Sequence, residues 1–181
     1  MRQIDGSQLD GRLLQLLHGE ILVSTAADPQ RPFLVGTQQG MLRALGTRFL
    51  VRQQARLCTV SVLEGAVEVQ PNAGRPVVIE AGKQARFSDE QIVATGDNDP
   101  AAGAWSKGML IVHRMPLADF AAELARYRPG HLGCAEAVAN LPVSGIYPVD
   151  DTDRVLDMLS KTLPVRVRSV TRYWVSIDAH A

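Results

Sequence analysis

The chain has little of what usually marks chemistry or membranes. It has two cysteines, Cys58 and Cys134, far apart in its 181 residues. Two thiols without neighbouring ligands exclude a zinc-type cysteine spacing. They read as small buried apolar residues, and a bridge between them in an oxidising compartment is left open. The four histidines, His18, His113, His131 and His180, show no ligand spacing, and a metal site needs at least three converging donors. Aromatics make up 5% of the chain, too few for an obvious sugar-stacking face. No apolar run approaches the roughly 18 residues of a membrane span, and no signal peptide is recognisable. Charge of one sign is lacking too. Lys plus Arg and Asp plus Glu both total 19, split 10 to 11 before Trp105 and 9 to 8 from there on. That balance argues against a nucleic-acid footprint.

Nucleophilic and phosphate chemistry are equally thin. Ser24, Ser61 and Ser144 have no glycine elbow around them. The segment from Gly103 to Gly108 lacks the lysine and spacing of a phosphate loop. Asp150, Asp151, Asp153 and Asp157 cluster, but at a predicted helix start, where carboxylates cap free N–H groups and complement the helix dipole. The sequence therefore predicts no enzyme, no cofactor, no metal and no small-molecule substrate.

What is present is a globular composition, 46% hydrophobic and 21% charged. Residues 1–12 read as a polar lead-in. Leu13–Leu17, a turn at His18-Gly19 and Glu20–Val23 read as strand, turn, strand in preference to a short leucine helix. A proline-containing loop follows. Around Gly46, Leu42 and Ala44 alternate with Met41, Arg43 and Leu45, and Phe49 and Val51 alternate with Arg48, Leu50 and Arg52. A single glycine between such runs marks a bend or bulge. Cys58, Val60 and Val62, then Val67 and Val69 beyond Glu64-Gly65, read as a hairpin. Segments around Val77–Ile79, Ala85–Phe87 and Ile92–Ala94 complete an all-β domain over residues 1–95. The small, Gly- and Pro-containing stretch 96–104 reads as a linker.

Past it the period changes. Met109–Val112 predicts a strand, and Leu117, Phe120, Ala121 and Leu124 one face of a helix behind Pro116. Residues 141–149 alternate as a strand. Asp150 or Asp151 caps a second helix carrying Val155, Leu156, Leu159 and Leu163 on its buried side. Val165 and Val167 alternate with Arg166 and Arg168, and Tyr173, Val175 and Ile177 form a last strand. The two stretches repeat at an offset of 35: Ile111 with Ile146, Phe120 with Val155, Leu124 with Leu159, Pro129 with Pro164, Leu132 with Val167. The predicted fold class is thus mixed. An all-β domain precedes a small α/β domain, residues 105–181, of two strand–helix–strand repeats.

The string from Arg31 to Arg52, RPFLVGTQQGMLRALGTRFLVR, closely resembles the signature of the FecR family of anti-sigma regulators. The leucine-rich strand running into Gly19-Glu20 resembles it too, although such chains carry further strands ahead of it. The C-terminal repeat, with Trp105 before it and Val143-Ser144-Gly145 within it, resembles the short N-terminal domain of secretins and TonB-dependent transducers. The resemblance implies the periplasmic, soluble part of a single-pass inner-membrane protein, incomplete at the start of its first domain. It implies a partner, the N-terminal signalling domain of an outer-membrane TonB-dependent siderophore transducer. It also implies a sigma factor bound through a cytoplasmic domain outside these residues, and control of iron-uptake genes. Two alternatives are a structural module of a secretin-like envelope assembly and a cell-wall glycan-binding β-domain.

Two surfaces are candidates for a protein partner. One is the strand carrying Leu141, Val143, Ser144, Gly145, Ile146 and Tyr147, where Pro142 and Pro148 lack ladder donors and suggest an edge. The other holds Arg166, Arg168, Arg172 and Trp174, residue types enriched at interface hot spots.

Overall fold

The computed structural model describes residues 2–5, 12–26, 28 and 30–180. They divide into two units, Met1–Ser106 and Lys107–Ala181.

The first unit is a sandwich of two sheets. Strands β1 (Arg2–Asp5), β3 (Gly19–Ser24), β6 (Arg48–Gln53), β7 (Cys58–Glu64), β10 (Lys83–Phe87) and β11 (Ile92–Asp97) form one sheet, in that spatial order. Strands β2 (Leu13–Gln15), β4 (Phe33–Gly36), β5 (Gly40–Ala44), β8 (Ala66–Pro71) and β9 (Val77–Glu80) form the other. Between them lies an apolar core in which Phe33, Val35, Leu42, Phe49, Val51, Cys58, Val60, Val62, Val67, Val69 and Phe87 are essentially inaccessible. Alternation along each strand places these side chains inward, the expected signature of sheets with one buried face.

The connections differ from the sequence reading at two points. The Glu64-Gly65 junction is not a hairpin. β7 belongs to the six-stranded sheet and β8 to the five-stranded one, so the chain turns a corner there. The same holds at Gly46, between β5 and β6, and at Ala81-Gly82, between β9 and β10. True hairpins alternate with these corners: β4–β5, β6–β7, β8–β9 and β10–β11. The second difference is β1. The polar lead-in contains a strand, Arg2–Asp5, paired in parallel with β3 along Ile21–Ser24. The β3 edge satisfies the backbone groups on one side of it, which a composition-based reading does not see. Residues 6–11 of that lead-in lie outside the described residues.

The stretch 96–104 is part of the first unit rather than a bare tether. Asp97 still pairs with Lys83 in the β10–β11 ladder. The Asn98 backbone N–H donates to Gly82 O at 2.8 Å, and its side-chain amide donates to Val62 O at 2.5 Å. Trp105 Nε1–H donates to Glu20 Oε1 at 3.0 Å.

The second unit pairs β12 (Met109–Pro116) with β14 (Pro142–Pro148), and β16 (Trp174–Ala179) with both β13 (His131–Cys134) and β15 (Val165–Thr171). Helix α1 (Leu117–Leu124) connects β12 towards β13, and α2 (Thr152–Thr162) connects β14 to β15. Both helices form for the reasons the pattern suggests. Leu117, Phe120, Ala121 and Leu124 of α1, and Val155, Leu156 and Leu159 of α2, are buried. Asp151 is the cap of α2: its Oδ1 accepts the Arg154 N–H at 3.0 Å. Pro116 stands one position earlier than expected, as the residue before α1. Tyr173 lies outside β16, in the turn after β15.

Candidate protein-interaction site

The second unit presents two different outward surfaces, each with a distinct chemistry. On the β12–β14 ribbon, Val143 and Tyr147 point inward. The Tyr147 ring meets Phe120 edge-on, centroids 4.8 Å apart at 62°. Its hydroxyl donates to Ser144 O at 3.2 Å, and burial pushes the phenol pKa up. Leu141 is half-buried against the same core. These three candidates therefore hold the strand in place instead of offering contact area. Ser144 Oγ accepts the Arg114 N–H at 2.8 Å, bridging an irregularity in the ladder where Arg114 adopts φ +50°. Gly145 has φ +151°, and a Cβ there would stand 3.1 Å from the Tyr147 ring, so glycine keeps the aromatic seated. Ile146 alone of the six is an exposed apolar group, at 60%. It lies directly across from Ile111, which is 38% exposed. Neither residue carries a hydrogen-bonding side chain, so this pair offers only apolar contact.

The sheet β13-β16-β15 has a helix-covered face, with Leu132, Val175, Ile177 and Val165 buried, and an outward face. Alternation puts Arg166 and Arg168 outward on β15 and Trp174, Ser176 and Asp178 outward on β16. Arg166 lies across from Asp178, and Arg168 from Ser176. Ser176 Oγ donates to Asp178 Oδ2 at 3.1 Å. Trp174 is 56% exposed and packs against the His131 ring, centroids 4.6 Å apart. Arg172 sits at the adjoining turn with its guanidinium 4.6 Å from the Tyr173 ring centre, a cation–π arrangement. The structure thus brings Arg166, Arg168 and Trp174 onto one face, with Arg172 at its margin. His131 was not among the sequence candidates. Its place beside Trp174 depends on a parallel pairing that no local pattern signals. Among the described residues, strands β14 and β15 each have a single neighbour, β12 and β16, so each has an open edge there.

Both cysteines are free; burial pushes the Cys58 thiol up to about 12. Among the described residues no three His, Cys, Asp or Glu side chains converge as metal ligands. No helix among them is long and apolar enough to cross a membrane.

Comparison with known proteins adds a family likeness over part of the chain. Residues 3–68 match the model of the FecR protein family. The chain carries a FecR domain. The matched span runs from β1 into β8 and takes in the Gly46 corner. No curated protein matches the chain. Two crystal structures of a proposed anti-sigma factor from Parabacteroides distasonis ATCC 8503, at 1.65 and 2.50 Å resolution, share the fold. Their TM-scores are 0.73 and 0.72 at 21% and 20% identity, over 97% of this chain and 84% of theirs. The likeness therefore extends beyond the FecR sandwich into the C-terminal repeat.

Proposed function

We propose that this FecR-domain chain is the signal-receiving region of a FecR-type sigma-factor regulator. It acts through protein contact and not catalysis. In this reading its partner is the N-terminal signalling domain of an outer-membrane TonB-dependent siderophore transducer, and the pair meets in the periplasm. A sigma factor is then controlled through a cytoplasmic segment of the same regulator, which adjusts iron-uptake transcription. The second unit is the secretin/TonB short N-terminal-like module that makes the contact.

The observation that carries the reading is the outward face of β13-β16-β15 in a chain with a FecR domain. Trp174 and the arginines at 166 and 168 stand together there, exposed, with Asp178 the carboxylate opposite Arg166. Such Trp and Arg anchors dominate interface energies when desolvated by a partner. Binding to the folded state also stabilises it against local opening, by mass action, so partner loss exposes the chain to proteolysis.

The test is calorimetric titration of the chain with the isolated signalling domain of the transducer encoded beside it. Saturable one-to-one binding is expected. Trp174→Ala and Arg168→Glu should each weaken it at least about tenfold, roughly 1.4 kcal/mol. Unchanged affinity in both variants removes this face from the interface. An absence of binding at about 100 μM overturns the choice of partner.

A further inference from the structure

A groove of about 590 Å³ runs along α2 on the helix-bearing side of the second sheet. Leu156, Val167 and Val175 give it apolar lining, and Asp153 and Asp157 stand on its α2 wall. Arg128 and Arg172 line it as well. Arg128 is the unusual member. Its side chain is only 5% exposed, yet Nε and Nη1 are buried with no acceptor among the described residues. Nη2 donates to Arg172 O at 3.3 Å and stands 3.4 Å from Asp153 Oδ1.

A guanidinium stays charged in any protein environment, so burial cannot neutralise it. Charge-assisted bonds to carboxylates settle at about 2.7–2.9 Å, and both contacts of Arg128 are longer. Asp153 is a loose partner, its side chain 85% exposed. Asp157 is engaged elsewhere, with Lys161 Nζ 2.6 Å from its Oδ2. The groove therefore holds a desolvated cation whose acceptor demand the described residues do not meet. Its apolar lining suits short alkyl side chains. Ser169, also in the lining, belongs to β15, whose outer edge has no neighbouring strand.

We infer that this groove binds an extended acidic segment of a protein partner. A carboxylate of that segment anchors on Arg128 and displaces Asp153, the resident and weaker acceptor. Arginine-lined grooves read acidic motifs in this way. The site lies on the face opposite Trp174 and Arg168, so it stands whether or not that outward face meets a transducer.

The experiment is an NMR titration of the full chain with an end-blocked pentapeptide carrying one glutamate between valines, against its glutamine counterpart. The expected results are saturable binding of the glutamate peptide, at least about tenfold weaker binding of the glutamine peptide, and a shifted Arg128 Nε–H resonance. Asp153→Asn removes the competing carboxylate at an exposed position, and it should tighten glutamate-peptide binding about threefold or more. Asp153 is 85% exposed and asparagine keeps its shape, so a thermal melt is expected to show this variant folded, and it remains informative even where Arg128→Gln fails to fold. Equal affinity for the two peptides, an unmoved Arg128 resonance, or no tightening in Asp153→Asn would each overturn the inference.

Discussion

Gly65 and Gly82 occupy the same kind of corner with the same backbone conformation, φ +77° and +82°, yet different surroundings. At Gly82 an added Cβ meets nothing within 4 Å. At Gly65 it would overlap the Gly46 carbonyl oxygen and stand 3.0 Å from Thr47 Cγ2 and 3.3 Å from Thr47 Cα. Both alanine variants incur the left-handed cost of about 1–2 kcal/mol. Both recover about 0.4–1 kcal/mol from a stiffer unfolded chain. Gly82→Ala should therefore cost about 1 kcal/mol. Gly65→Ala should cost a further ~1–3 kcal/mol, because two backbone corners must move apart in a packed setting. Thr47 is itself buried, and its backbone N–H and carbonyl both bond to Thr25, so it has little room to yield. Urea unfolding, followed by Trp105 fluorescence in a Trp174→Phe background, reads the first unit selectively. If the two variants differ by less than about 0.5 kcal/mol, the corners do not lean on one another and the reasoning fails.

Three further outcomes are expected. In the second unit, Phe120→Ala empties the ring site beside Tyr147 and should cost about 3–5 kcal/mol, whereas Tyr147→Phe loses one hydrogen bond, about 1 kcal/mol, by thermal or urea unfolding. In thiol labelling at pH 8, Cys134 should react in the folded chain while Cys58, its thiol pushed up to about 12 by burial, should react only after unfolding; equal native rates would contradict the core position of Cys58. The Asp97 carboxyl is held below its ordinary 3.8 by the Lys83 hydrogen bond and then by its charge. A carboxyl lowered in the folded state stabilises it above the unfolded pKa and loses that contribution as pH falls through the folded value. Carbon-detected titration should therefore place the Asp97 midpoint below 3.8, and Lys83→Met should return it towards that value.

The α/β half was legible because its signals are local. A 3.6-residue apolar period, the aspartates ahead of Thr152 and the prolines at 129 and 164 delimit both helices without knowledge of tertiary contacts. The sandwich was legible only in part. Val62 and Val67 both face the core across the Gly65 junction, and a hairpin and a bent strand produce the same alternation there. Which of them forms depends on whether the next strand joins the same sheet, and that is a long-range choice. Likewise β1 is four residues, polar at three of them, and exists by pairing with a β3 edge. Among the interaction candidates, Arg166, Arg168 and Trp174 could be placed outward by parity alone. The inward turn of Val143 and Tyr147 is the same parity: the alternation puts them on one face, but only the edge prolines Pro142 and Pro148 bear on the partner argument for that strand. Arg128 gave no signal, since its acceptors, Asp153 and the Arg172 carbonyl, lie 25 and 44 residues downstream.

The 35-residue repeat has a geometric consequence in the second unit. Ile111 and Ile146, equivalent by the repeat, are direct partners in the β12–β14 ladder. The flanking pairs Leu110↔Tyr147 and Val112↔Gly145 then exchange under the same operation, which is the pattern of a local two-fold axis through the Ile111–Ile146 pair. The symmetry ends at β16. That single strand joins β13 in parallel and β15 antiparallel, so the two copies cannot have equivalent surroundings there. The outward positions follow the break. His131 and Gly133 on β13 correspond by the offset to Arg166 and Arg168 on β15. Two uncharged or weakly basic positions in the first copy are thus guanidinium groups in the second, with Trp174 and Asp178 introduced by β16, the strand between them that has no repeat counterpart. A duplicated fold needs only its buried positions kept alike to pack. Charge placed on one copy alone is not required by packing, and it gives the outward face a direction along which a partner of complementary charge can be oriented.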